Sequence, residues 1–187
     1  MKRPIILASA SSRRIELLKL CGFEFSSIEA NINENIDFSS YPIVVCEQLA
    51  QEKALHVFKQ YPHAIVIGAD TIVKVDEIVL QKPLNKQEAC WMLRLLSNRT
   101  HQVVTSVCMV SEDNLEVFSS VVEVDMIELD DSMIEKYIDL EQPFDKAGAY
   151  AIQGRAACFV KAIRGDYYAV VGLPVVDIYR YLKKFLF

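Results

Sequence analysis

The chain has 187 residues, 52% hydrophobic and 24% charged, a balance that suits a packed fold and excludes an intrinsically disordered one. Its formal net charge is −5, and no basic run extends beyond pairs such as Arg13-Arg14 and Lys183-Lys184. A face that coats a nucleic-acid polymer is therefore excluded, whereas a small anionic ligand needs only a locally positive pocket.

Pro4 to Ala8 reads as a short buried strand, and Ser11 onward as a helix with Ile15, Leu17 and Leu18 on its apolar face and Gly22 at its end. Phe23 to Ile28 reads as a second strand, followed by a polar loop holding Asn31, Asn33 and Glu34. A long helix is predicted over Pro42 to Gln60, closed by Tyr61-Pro62. Ala64 to Ala69 reads as a buried strand ending at Asp70, and Thr71 to Leu80 as strand, turn and strand around Asp76-Glu77. Asn85 with Glu88 resembles a capping box opening a helix through Leu96. Gln102 to Val110 and Glu116 to Leu129 form a hairpin turning at Glu112-Asp113-Asn114. Asp131 caps a short helix to Leu140, Cys158 to Ile163 is a strand, and Val175 to Phe185 is the last helix. This alternation predicts an α/β fold with a mixed sheet and flanking helices, with two lobes around a groove as one arrangement.

The five cysteines (Cys21, Cys46, Cys90, Cys108 and Cys158) are scattered, odd in number and without a C-x-x-C pair. They supply neither a zinc nor a disulfide framework, and read as core filler in the reduced state of a cytoplasm. His56, His63 and His101 have no metal-ligand spacing. Lys2-Arg3 followed by Pro4 to Ala10 imitates an export signal, but the apolar stretch is too short and runs into Arg13-Arg14. No segment has the length to span a bilayer, so a soluble cytoplasmic protein without a membrane partner is expected.

The chemistry-bearing stretches begin at Ser9-Ala10-Ser11-Ser12-Arg13-Arg14, where a strand enters a helix. Two arginines in a first turn oppose the helix dipole at a cost of about 0.3–1 kcal/mol unless an anion sits nearby. With free backbone N–H groups and hydroxyls they make a phosphate cradle; the bland alternative is a Ser cap with two solvated arginines. Asp70 in Gly68-Ala69-Asp70-Thr71, at the end of an apolar strand, is a candidate metal ligand or base, or else a turn residue bonding its own backbone. Lys82, in Gln81-Lys82-Pro83, is placed to meet a phosphate oxygen. Leu49, Lys53 and Val57 fall at i, i+4 and i+8, so Lys53 lies in an apolar arc and either snorkels to its rim or points into a cleft. Asp145 to Tyr150 and Ile152-Gln153-Gly154 read as a glycine-containing loop that can bring an amide against a base.

Taken in order, SASSRR, Glu34, QEKA around Lys53, GADTIV, QKP, HQVVTSV, DKAGAYAIQG and VVGLP resemble the Maf-like nucleotide pyrophosphatases. The matching runs extend from Ser9 to Pro174. The resemblance implies one domain over 1–187, with an α/β fold around a deep cleft similar to the inosine-triphosphate pyrophosphatases. It also carries functional roles onto Ser9, Arg13, Arg14, Glu34, Lys53, Asp70 and Lys82, with Asp70 the proton acceptor. The Asp-Thr pair and the Tyr-x-Ile-Gln-Gly run resemble the dTTP/UTP subgroup, with Arg13, Thr71 and Gln153 at its specificity positions. The implied reaction is hydrolysis of a pyrimidine nucleoside triphosphate to monophosphate and pyrophosphate, with Mg²⁺ or Mn²⁺ held by Asp70 and Glu34. A homodimer is compatible with the resemblance.

Ser12, Gln142, Ala151 and Asp166 stand where the family commonly has Pro, Glu, Gly and a small polar residue, which bears on rate and pocket shape. The competing readings are a 7-methyl-GTP pyrophosphatase and a non-catalytic nucleotide-binding regulator of cell division. The regulator has no need of Asp70 or Glu34.

Overall fold

The computed structural model describes residues 3–32 and 41–186. Among these residues seven strands, β1 (Ile5–Leu7), β2 (Phe25–Ser27), β3 (Ile65–Val75), β4 (Ile78–Leu80), β5 (Thr100–Val110), β6 (Leu115–Met126) and β7 (Val160–Arg164), form one sheet. Its order is β2-β1-β3-β5-β6-β7, with β4 paired to β3. The helices are α1 (Ser12–Lys19), α2 (Pro42–Phe58), α3 (Lys86–Leu96), α4 (Asp131–Glu141), α5 (Tyr167–Val171) and α6 (Val175–Leu186). Two 3-10 turns, Ala147–Ala149 and Arg155–Phe159, lie between α4 and β7. β1 runs parallel to β2 and β3, while β4 is antiparallel to β3 and β7 to β6, so the sheet is mixed and the fold is α/β as expected.

The chain divides into two compact units. The first comprises Met1–Asp70, Thr105–Ser120 and Gly172–Phe187; the second comprises Thr71–Val104 and Val121–Val171. In the first, Ile6 of β1 with Ala8 just after it, Val66 of β3, and Cys108 and Val110 of β5 form a core with Ala50, Ala54 and Val57 of α2. The alanines on that helix leave room for close approach to the sheet. In the second, α3 and α4 are joined by Arg94–Asp131 at 2.7 Å and by an ion pair between Lys86 and Asp139. These pairs are exposed and set register more than stability.

Local chemistry accounts for the ends of the elements. The Ser11 side chain caps α1 by accepting from the Arg14 N–H, and the chain leaves at Gly22. Asn85 caps α3 through the Glu88 N–H at 2.9 Å, and the Glu88 carboxylate accepts from the Leu84 N–H at 2.7 Å. The acceptance falls one residue before the cap, a shifted version of the expected reciprocal box.

Several boundaries differ from expectation by a few residues, and three of the differences have a local chemical cause or move a named residue. β3 does not end at Asp70 but runs on to Val75, because Thr71, Ile72 and Val73 are β-branched and continue the ladder until Asp76, at φ 50°, turns it. The cap of α4 is Asp130, which accepts the Met133 N–H at 2.8 Å; Asp131 is the first helical residue and pairs with Arg94. Cys158 is exposed in a 3-10 turn, and the strand begins only at Val160.

Candidate active site

The site in the first unit is built by a glycine. Along β3, Val66, Gly68 and Asp70 share one face of the sheet. A Cβ on Gly68 would lie 2.3 Å from the Ala50 carbonyl oxygen and 2.6 Å from the Ala54 nitrogen, so the backbone of α2 rests directly on the strand. Lys53 stands between those alanines, and two residues along the strand from Gly68 stands Asp70. Lys53 Nζ donates to Asp70 Oδ1 at 2.6 Å, with the residues only 9% and 8% exposed. Lys53 therefore points at a carboxylate and does not snorkel to solvent. Each charge is desolvated, and each is tolerated because the other is present.

Ser9, Arg13 and Arg14 follow from the strand register. Leu7 pairs with Ile67, and the Ala8 N–H donates to the Ile67 carbonyl at 2.8 Å, so Ser9 leaves β1 alongside the strand that carries Asp70. Ser9 is buried; its Oγ accepts from the Ser11 N–H at 3.2 Å, and its carbonyl accepts from the Ser27 hydroxyl. No acidic residue stands in the first turn of α1. Arg13 and Arg14 are half-buried there, and Arg14 Nε donates to the Gly172 carbonyl at 3.0 Å. That bond fixes the guanidinium from the VVGLP segment, 158 residues away in sequence.

Cys46 reports how near these charges lie. Burial, with the Asp70 carboxylate adding to it, pushes the thiol up to about 12, while the Ser106 hydrogen bonds and the Arg14 guanidinium oppose the rise. Arg14 and Asp70 thus both act on the Cys46 thiol, and Lys53 is paired with that same Asp70. A polar chain that sequence reasoning missed runs through the same unit. Ser119 donates to the Glu47 carboxylate at 2.8 Å and shares a 2.8 Å bond with Ser106. Glu47 sits next to Cys46 on α2, but nothing local in the sequence signals its two serine partners.

The second unit holds the other expected residues. Thr71 is half-buried, directly after Asp70 on β3. Lys82 is exposed in the segment following β4. Its neighbour Gln81 accepts the Gly148 N–H at 3.1 Å, joining the QKP and DKAGAY segments. Lys146 pairs with adjacent Asp145 at 2.6 Å. Gln153 is exposed on a turn that closes at Gly154, where φ is 91°. Glu34 lies outside the described residues.

His101, set aside as a ligand, is 2% exposed and hydrogen-bonded through Nε2 to the Tyr150 hydroxyl at 2.7 Å. Its Nδ1 has no hydrogen-bond partner among the described residues. Burial lowers its pKa to about 4, only partly offset by Asp125, so it is neutral in the folded protein. The unfolded chain, with an ordinary histidine pKa near 6.5, binds more protons between these values, and stability falls as pH drops through that window. A loss of about 2 kcal/mol from pH 7.5 to pH 5 is expected from this residue. Urea midpoints of wild type and His101→Gln at both pH values check it: the variant should lose less stability on acidification. Equal losses would show that another group carries the acid sensitivity.

Among the described residues, no group of three His, Cys, Asp or Glu side chains gathers as a metal cage. A hard divalent ion bound by one or two carboxylates together with substrate phosphates needs no such cage. Asp70 supplies a donor of the fitting type beside cationic groups suited to phosphate oxygens.

The chain matches the Maf-like protein family over residues 4–185. It is 45% identical over 181 residues to the dTTP/UTP pyrophosphatase of Bacillus pumilus, covering 97% of this chain and 96% of that protein. The protein of that name from Bacillus velezensis is 45% identical over 185 residues, covering 99% and 98%. A third, from Bacillus anthracis, is 45% identical over 183 residues, covering 98% and 96%. With a family match over nearly its whole length, this chain belongs to the Maf-like family.

Proposed function

We propose that the chain is a cytoplasmic, metal-dependent pyrophosphatase that hydrolyses dTTP and UTP to the monophosphate and pyrophosphate. The observation that carries the reading is the buried Lys53–Asp70 pair, held beside the arginine-bearing first turn of α1, in a chain whose relatives bear that name. No described helix is long and apolar enough to cross a membrane. The reading treats residues 1–187 as one domain, because β3, β5 and β6 each contribute to both units.

Hydrolysis between the α- and β-phosphates forms a bond from water oxygen to the α-phosphorus and breaks the bond to the bridging oxygen. Asp70 orients the water and takes its proton. A carboxylate is too weak a base to do this unaided against water, whose own pKa is about 15.7. Asp70 and Glu34 would hold a divalent ion, which when bound would supply the missing acidification and offset phosphate charge. Arg13, Arg14, Lys53 and Lys82 neutralise the tail and the departing pyrophosphate, with Ser9 and the opening amides of α1 assisting. Thr71 and Arg13 help choose the substrate. The Gln153 amide sets a donor and an acceptor side by side against the N–H and carbonyl edge of uracil or thymine.

A panel of nucleoside triphosphates and 7-methyl-GTP, assayed with Mg²⁺ and with Mn²⁺, tests the reading. Pyrophosphate is scored separately from orthophosphate. UTP and dTTP should lead, with pyrophosphate as product; a preference for 7-methyl-GTP, orthophosphate release or no turnover would each overturn it. Gln153→Leu should cut discrimination for pyrimidines by roughly a hundredfold, since a polar edge left unpaired in a site is costly. Its melting temperature should stay near wild type because Gln153 is exposed.

A further inference from the structure

The backbone ahead of Gln153 is held by buried hydroxyls whose polarity the packing alone does not require. Tyr150 is 6% exposed, with its hydroxyl 2.7 Å from His101 Nε2 and the two rings edge-on at 5.4 Å between centroids. Tyr137, 3% exposed on α4, accepts the Ala151 N–H at 3.3 Å while its ring packs edge-on against Phe159 at 5.1 Å. Phenylalanine would fill either place with the same ring. Burying a phenol instead costs desolvation that only a hydrogen bond offsets. On the far side of the turn, Glu141 pairs with Arg155 at 3.1 Å. Residues 150 to 155 are thus anchored at both ends, Ile152 is buried between them, and Gln153 is the side chain presented outward.

We propose that His101 and Tyr137 are positioning residues for base selection: acting through Tyr150 and the Ala151 amide, they set where the Gln153 amide meets the pyrimidine. The inference rests on the reading that Gln153 recognises the base. It assigns no contact with substrate to either residue. β5 supplies one support and α4 the other, so the turn is fixed from two elements at once. A single hydrogen bond leaves the turn free to pivot, whereas one to its backbone at Ala151 and one to the side chain of the preceding Tyr150 hold both its height and its tilt. Amide pairing to a base edge needs that definition, because hydrogen bonds weaken steeply once bent.

The test uses Tyr137→Phe, Tyr150→Phe and His101→Leu, with His101→Gln as the conservative variant that retains a polar group. KM and kcat are measured for UTP and dTTP. Inorganic tripolyphosphate, a tail without a base, is measured as a competitive inhibitor. KM for both nucleotides should rise roughly tenfold in the first three variants, as expected for one hydrogen bond's worth of misplacement. The inhibition constant of tripolyphosphate should stay unchanged, and His101→Gln should recover most of the loss. If tripolyphosphate binding weakens in parallel, the residues are merely structural and the proposal fails. It fails also if folded Tyr137→Phe and Tyr150→Phe keep the wild-type KM, and these two decide the matter if His101→Leu does not fold. Gln153→Leu separates the levels. Loss of preference there with none in the tyrosine variants rejects this inference alone; retained preference there rejects the reading of Gln153 and this inference with it.

Discussion

Asp70→Asn is expected to lower pyrophosphate release roughly a thousandfold, the scale on which a positioned proton acceptor contributes. The substitution is informative because it is nearly isosteric at a crowded place. Asp70 is 8% exposed and its Oδ1 receives the Lys53 ammonium at 2.6 Å. Asparagine keeps an oxygen for that donor but can neither take a proton nor present an anionic ligand. The fold should survive, with a cost on the order of 1–2 kcal/mol because a charge-assisted bond becomes an ordinary one. Single-turnover assays with and without Mg²⁺, alongside thermal melts, separate loss of chemistry from loss of folded protein. Turnover near wild type at saturating metal would remove Asp70 from the mechanism. Lys53→Met should behave differently. It strands a buried carboxylate without its cation, so stability should fall further than in Asp70→Asn.

The positions of these two residues were only half legible in the sequence. Helical spacing put Lys53 in the apolar arc of α2, yet spacing is blind to what faces that arc, and two orientations stayed open. Asp70 reads as a strand end because the apolar run Ala64 to Ala69 stops there, yet the β-branched run Thr71-Ile72-Val73 carries the ladder on past it. The same local ambiguity moved the cap of α4 from Asp131 to Asp130, adjacent residues with identical capping chemistry; the first helical position went to the one that meets Arg94. Most strands and helices, by contrast, announced themselves through apolar runs and Pro, Gly and Asn punctuation.

What local pattern does not carry is pairing across long stretches of chain. Arg14 is fixed by Gly172, and His101 by a tyrosine 49 residues later. A histidine without ligand spacing gave no sign that its partner was a buried phenol. The resemblance named motifs in the right order, but only coordinates show that HQVVTSV and DKAGAYAIQG touch through His101 and Tyr150.

Gly68→Ala should be the most damaging small substitution in the first unit. The added methyl meets backbone on both counts, 2.3 Å from the Ala50 oxygen and 2.6 Å from the Ala54 nitrogen, and its third neighbour is the Ala54 Cβ at 2.9 Å. No flexible side chain stands there to yield, so α2 must lift from β3 along the stretch that carries Lys53. Overpacking of this kind costs about 3 kcal/mol or more. Ala50, Ala54 and Val57 are fully buried in the same contact, so lifting also reopens apolar surface. The consequence for chemistry is separate from the consequence for stability. A shift of even one ångström stretches a 2.6 Å ion pair beyond hydrogen-bond range and misplaces Lys53 relative to Asp70. Urea unfolding should therefore show a lowered midpoint. The protein that remains folded at low urea should turn over substrate at least tenfold more slowly, since small misplacements near reacting atoms are costly. An unchanged midpoint would mean that helix and strand are not in backbone contact at Gly68. A lowered midpoint with full activity per folded molecule would mean that Lys53 does not depend on that contact for its place.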